Sequence, residues 1–352
     1  MSPKLRNTLF IFLSAFLFTA CHVDFSPNAP WQEIPVVYCL LDQDEDTTWV
    51  RVQKCYLGEG NLYGYASQYD SVNYPSGTLS VTMEMWRAKR GRYNTLEVDP
   101  AANAPVRTFT FVETMLNDKP QGNFASPAQM AFCCPTAGLL DTGCVYRLLV
   151  RRASGDTLAT AVTSLVGGTM ELRDPTSRKM FQFSGAGEKK CVIQWTTLPR
   201  ARQYQPQVTF FYNDFVRTWN GTTYDTLITP HSIDIECPVR KSGMNTLTEQ
   251  VDLYQSSFLS TIQLAIGADT THKVVVDSVL IAISACNEDF AAYLFSVEST
   301  GSVGESRSAF SNIDGGLGVF AARRTHLSFF VPTPPNSDSQ YKKKLKELNL
   351  GF

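Results

Sequence analysis

The chain has 352 residues, of which 43% are hydrophobic, 12% aromatic and only 18% charged. That balance excludes an intrinsically disordered chain and supplies apolar material for about two domains of ordinary size. A net charge of −2, from 31 basic and 33 acidic residues, excludes a strongly basic surface, so no nucleic acid is expected as a partner.

The chain opens on an export signal. Lys4 and Arg6 precede an apolar run from Leu9 to Phe18, interrupted at Ser14 and Ala15. A permanent membrane helix needs roughly 20 apolar residues, so this run suits a cleaved secretory signal instead. It closes on Leu17-Phe18-Thr19-Ala20-Cys21, which resembles the bacterial lipobox. That resemblance implies that residues 1–20 are removed and that Cys21 is diacylated (palmitate being a typical chain) and becomes the new amino terminus. Several acyl chains anchor stably, because each buried CH₂ adds about 0.8 kcal/mol of membrane affinity. His22 follows the cysteine, not the aspartate that retains some lipoproteins at the inner membrane, so an outer-membrane location is expected. Which face of that membrane the chain occupies stays open. Residues 21–33, with Pro27, Asn28 and Pro30, read as an extended tether.

A β-rich unit follows over 34–168. Pro35 to Leu41 and Thr48 to Cys55 predict a hairpin around the acidic run Asp42 to Asp46, expected as a solvated tip. As a calcium loop that run would want Gly and Glu where Thr47 and Gln53 stand. Tyr56, Tyr63, Tyr65, Tyr69 and Tyr74 crowd the next loop, either as a contact surface for sugar or protein or as side chains tucked under a sheet. Leu79, Val81, Met83 and Met85 alternate with more polar residues, as do Phe109 and Phe111, and then Tyr146, Leu148 and Val150. Gly155-Asp156 turns the chain into a Thr- and Val-rich run to Val166. Alternation of period two with turn signals between runs predicts a sandwich of antiparallel strands. Asp141-Thr142-Gly143 imitates half of an aspartic protease site but has no second copy, so it is expected to be a turn.

A second unit is expected over 169–331. Cys191 to Trp195, Tyr204 and Val208 to Tyr212 resemble the B and C strands of a fibronectin type III domain, with Trp195 packed between sheets. Tyr254, Phe258, Ile262 and Ile266 fall at helical spacing, and so do Phe290, Tyr293, Leu294 and Val297 after the candidate cap Asn287. Between the two helices, Val274 to Ala285 reads as a strongly apolar strand. Gly315, Gly316 and Gly318 predict a tight turn into a strand, Leu317 to Ala321, closing this second sandwich. Residues 332–352 form a Pro-rich and basic tail. The expected fold is mainly β: two immunoglobulin- or fibronectin III-like sandwiches with a few short helices in the second.

Besides Cys21 there are eight cysteines, at 39, 55, 133, 134, 144, 191, 237 and 286. An even number in an exported chain permits disulfides, and Cys134 with Cys144 is the candidate local pair, with the connectivity left open. No CxxC or zinc spacing occurs, and His22, His231, His272 and His326 are not paired for metal or catalysis. No metal, cofactor or catalytic residue is therefore expected.

Two resemblances carry the functional expectation. The apolar strand, Glu288 to Phe295, and Ser311-Asn312-Ile313-Asp314-Gly315-Gly316-Leu317-Gly318-Val319-Phe320 resemble a family of Bacteroidetes outer-membrane lipoproteins that carry an uncharacterised domain. Members are often found beside TonB-dependent transporters, so the resemblance implies an outer-membrane transporter or another envelope protein as partner. Asp followed by Ser or Thr and then an apolar residue or Thr recurs, and resembles the O-glycosylation signal of exported Bacteroidetes proteins. Its implied acceptors are Thr47, Ser71, Thr157, Thr226 and Thr270; Ser278 also fits but lies in the apolar strand. Together these predict a non-enzymatic, lipid-anchored accessory or binding protein of the cell envelope. The alternative is a fimbrial or adhesin-type structural lipoprotein.

Overall fold

The computed structural model describes residues 33–55, 62–91, 95–117, 119–176, 181–243, 246–266, 273–298, 310–330 and 350–351. The chain is mainly β. In order it forms β1 (Pro35–Leu41), β2 (Thr47–Lys54), α1 (Leu62–Ala66), α2 (Tyr69–Val72), β3 (Leu79–Arg90), β4 (Leu96–Val98), β5 (Arg107–Thr110) and β6 (Val112–Leu116). Then come β7 (Gln129–Pro135), β8 (Cys144–Arg152), β9 (Thr157–Ser164), β10 (Leu172–Asp174), β11 (Lys190–Thr196), β12 (Gln203–Trp219), β13 (Tyr224–Glu236) and β14 (Arg240–Lys241). The last elements are β15 (Thr248–Tyr254), α3 (Gln255–Ile266), β16 (Lys273–Cys286), α4 (Glu288–Glu298), β17 (Ile313–Asp314), β18 (Leu317–Phe330) and β19 (Leu350–Gly351).

The strands form where period two puts apolar side chains on one face. In β1, Val37, Cys39 and Leu41 point inward; in β11, Cys191, Ile193 and Trp195 do. A ten-stranded sheet runs β13-β12-β16-β18-β1-β2-β7-β6, with β14 beside β12 and β19 beside β16. A six-stranded sheet, β17-β9-β8-β3-β4 with β5 on β3, meets one half of it across a core holding Val37, Val52, Met83, Phe132, Tyr146 and Phe320. A three-stranded sheet, β10-β11-β15, meets the other half together with α3, across a core holding Ile193, Trp195, Tyr204, Phe210, Phe258 and Ile281. In that second core Phe258 lies 5.2–5.8 Å, centroid to centroid, from Phe181, Phe183 and Phe210.

The two cores divide between Leu165 and Val166, with one exchange: Ile313, Phe320 and Ala322 belong to the first. β18 produces that exchange. Its first part, Leu317–Ala322, pairs parallel with Val36–Leu41 of β1, whereas Arg323–Phe330 pairs antiparallel with Val279–Cys286 of β16. The first part of β18, Leu317–Ala322, thus completes the first core and not the second, correcting the expectation from sequence; Phe330 at its far end lies in the second core, and one continuous sheet backs both cores. The turn itself is as expected: Gly315 has φ +79°, Gly316 N–H donates to Ile313 O at 3.4 Å, and Gly318 has φ +111°. A Cβ at Gly318 would lie 2.0 Å from Val37 O, so the parallel pairing requires glycine there.

Both predicted helices form. α3 buries Phe258 and Ile262, while Tyr254 ends the preceding strand and is 42% exposed. In α4 the Asn287 side chain accepts from Phe290 N–H at 3.2 Å, as a cap does.

Candidate functional site

Asn287 is a node between the two units. It is buried, its Nδ2 donates to Thr163 Oγ1 at 2.8 Å and to Ser164 O at 3.1 Å, and its Oδ1 also accepts from Ala322 N–H at 3.2 Å. β9, β18 and α4 are fixed together there. Beside it opens a cleft of about 920 Å³, walled by Thr163 and Ser164 of the first unit and by Arg200, Arg202, Asn287 and Glu288 of the second. Asp289 joins this wall, its Oδ2 accepting from Thr163 Oγ1 at 2.8 Å. Burial pushes the Asp289 carboxyl above its ordinary value, partly offset by that bond. Arg200 reaches into the first unit, donating from Nε to Leu165 O and from Nη2 to Thr142 O, each at 2.8 Å. Its backbone is left-handed at φ +67°, uncommon for a residue with a side chain.

A second, more open groove of about 610 Å³ lies on the outer face of β1, β2, β7 and β6. Trp49 is 42% exposed there, and the Arg51 guanidinium sits 5.9 Å from the centre of the Tyr38 ring. Tyr293 of α4 meets Tyr38 edge-on at 6.1 Å and stacks against Phe290 at 6.3 Å. The acidic run closes one end of this groove; Asp44, Glu45 and Asp46 are exposed at the tip as expected, whereas Asp42 is buried. Asp42 is 6% exposed, with Arg323 Nε at 3.6 Å, and Arg324 grips Asp44 at 2.7 and 3.1 Å. Arg324 also donates to Gly168 O, so the hairpin is tied to the junction. Burial pushes the Asp42 carboxyl up, against the Asp44 N–H bond and the Arg323 charge. Sequence missed these pairs because their partners lie some 280 residues away.

The remaining sequence-derived sites are dispersed. Cys21 and Thr270 lie outside the described residues. Thr47 opens β2, Ser71 lies in α2, and both are half-buried, whereas Thr157 at the start of β9 and Thr226 in β13 are exposed. Ser278 is half-buried in β16, its hydroxyl donating to Asp277 at 2.8 Å. Cys134 in β7 and Cys144 in β8 belong to facing sheets, contribute to the same core and stand as free thiols. Burial raises both of these thiols, and it raises those of Cys191 and Cys286 to about 12 and that of Cys237 to about 11. Of the tyrosine cluster, Tyr74 is buried and Tyr69 donates to Met115 Sδ at 3.8 Å; Tyr56 lies outside the described residues. At Asp141, Oδ1 accepts from Gly143 N–H at 2.7 Å and the backbone N–H donates to Tyr146 Oη at 2.6 Å, which is a turn held by a core tyrosine. Among the described residues no three His, Cys, Asp or Glu side chains gather as a metal site, and no helix is long and apolar enough to cross a membrane. No protein-family model and no curated protein matches the chain.

Proposed function

We propose that this chain is a lipid-anchored cell-envelope protein that binds rather than catalyses, serving as an accessory to an outer-membrane transporter. The observation that carries the reading is the N-terminal signal closed by Cys21. The chemistry behind the anchor supports binding over catalysis. Burial holds the Cys39, Cys191, Cys237 and Cys286 thiols above their ordinary value, the opposite of an activated nucleophile. The raised carboxyls, Asp42 and Asp289, sit in different grooves and so do not form an acid–base couple. The groove with exposed Trp49 offers the rigid aromatic area on which interfaces are built.

The two units are proposed to be immunoglobulin- or fibronectin III-like sandwiches. Two cores, each between two sheets, and Trp195 packed 5.5 Å from Tyr204 support that assignment. Exposed Thr157 and Thr226 are the best-placed glycan acceptors of the Asp-Thr motif.

A structural, fimbrial-type role is the second reading, favoured by the β12–β13 ribbon. Its outer part exposes Trp219, Leu227 and Ile228 at 53–65%, and β13 is an edge strand open to pairing. Purification of the native chain from detergent-solubilised outer membranes separates the two. The accessory role predicts a stoichiometric transporter in the same fraction. A chain that elutes alone contradicts it, and homopolymers favour the structural role.

A further inference from the structure

The arginines at the junction cleft lack counter-ions. Among the described residues no carboxylate lies within ion-pair distance of Arg200 or Arg202, both in the cleft lining, nor of Arg90, which lies outside that lining. Arg202 and Arg90 are exposed and can rely on water, but Arg200 is half-buried. Burying a guanidinium is costly unless an opposite charge or a full set of acceptors answers it. Of its five N–H donors, two are engaged by the Leu165 and Thr142 carbonyls, and among the described residues none accepts at Nη1. Arg90, at the end of β3, makes the situation worse. Burial and then the Arg90 charge both pull the Arg200 guanidinium below its ordinary value. A half-buried guanidinium without an ion pair at the wall of a cleft, held there by a strained backbone, forms a place where an anion lowers the energy of the folded chain.

The rest of the lining narrows the ligand. Thr163, Ser164, Thr197, Ser242 and Thr246 bring hydroxyls, and Asn287 and exposed Glu288 stand on the α4 side. At about 920 Å³ the cleft is larger than a bare ion needs and within the range for a small organic ligand. Hydroxyl, amide and carboxylate groups pair with a polyhydroxylated molecule; the arginines pair with an oxyanion on it.

We propose that the junction cleft is a binding site for acidic sugars, with Arg200 and Arg202 holding the oxyanion and Glu288 with the Thr/Ser wall holding hydroxyls. The proposal deepens the binding reading above by naming a ligand class. Carboxylate and phosphate share the required chemistry, and the probes distinguish them.

The test is calorimetric titration of the full chain in detergent, at low salt, with galacturonic acid, glucose 1-phosphate and glucose. At least one acidic sugar should saturate the protein, glucose should bind about tenfold more weakly or not at all, and Arg202→Gln should weaken the acidic sugar about tenfold with an unchanged melting temperature. The substituted position is exposed, so the variant folds even where Arg200→Gln does not. No saturation by either acidic sugar up to about 10 mM, equal binding of glucose, or unchanged affinity in Arg202→Gln overturns the proposal. Failure here leaves anchoring untouched, and a chain that never reaches the membrane still binds the probe.

Discussion

At the scale of single residues, the glycine turn and a buried carboxyl lead to sharp expectations. Gly318 holds φ +111° with Val37 O where a Cβ would stand. Gly318→Ala should therefore destabilise the chain by about 3 kcal/mol or more, from strain and displacement of β1 together. Gly122 has nothing within 4 Å of its would-be Cβ, so Gly122→Ala should change stability by less than about 0.5 kcal/mol. Denaturant unfolding of both variants checks the contrast; an equal effect contradicts the close approach. Asp289 is the pH-dependent case. Its folded carboxyl lies above its unfolded value because of burial, so its contribution is fully present in acid and is lost as pH rises through the folded value. Asp289→Asn keeps an acceptor for Thr163 and removes the buried charge. The variant should melt higher than the parent at pH 7, and the difference should vanish towards about pH 4. A lower melting temperature at pH 7 would show that the charge at the start of α4 outweighs its burial.

At the scale of elements, much of the fold is legible because alternation and helical spacing are local signals. β1, β3, β8 and β16 follow the runs read from sequence, and α4 starts where Asn287 predicts. What sequence misses is what depends on distant partners. Nothing local tells Leu317–Ala322 to pair with β1 instead of serving the second core, because both destinations accept the same apolar run. Likewise Asp42 and Asp44 read as solvated charges until Arg323 and Arg324 arrive from β18. Both clefts were illegible for the same reason, their walls coming from segments far apart in the chain. Asn287 joins such segments, so Asn287→Ala should cost about 3 kcal/mol or more, by leaving the backbone N–H groups of Phe290 and Ala322 without their acceptor. Asn287→Asp retains that acceptor but loses the donor to Thr163 and Ser164, and should recover part of the loss in chemical denaturation.

At the scale of the whole molecule, β18 couples the units. Its residues Phe320 and Ala322 lie in the first core and Phe330 in the second, while one sheet backs both. Neither core is complete without this strand, so the chain should unfold as one cooperative transition. Scanning calorimetry showing two separated transitions would contradict that coupling. The junction cleft is walled from both units. Placement at a membrane through Cys21 is the central claim of the proposed function. Membrane fractionation of the Cys21→Ser protein after carbonate washing tests it most directly. The account predicts the parent chain in the membrane pellet and the Cys21→Ser chain in the soluble fraction; Cys21→Ser protein remaining in the pellet would contradict it.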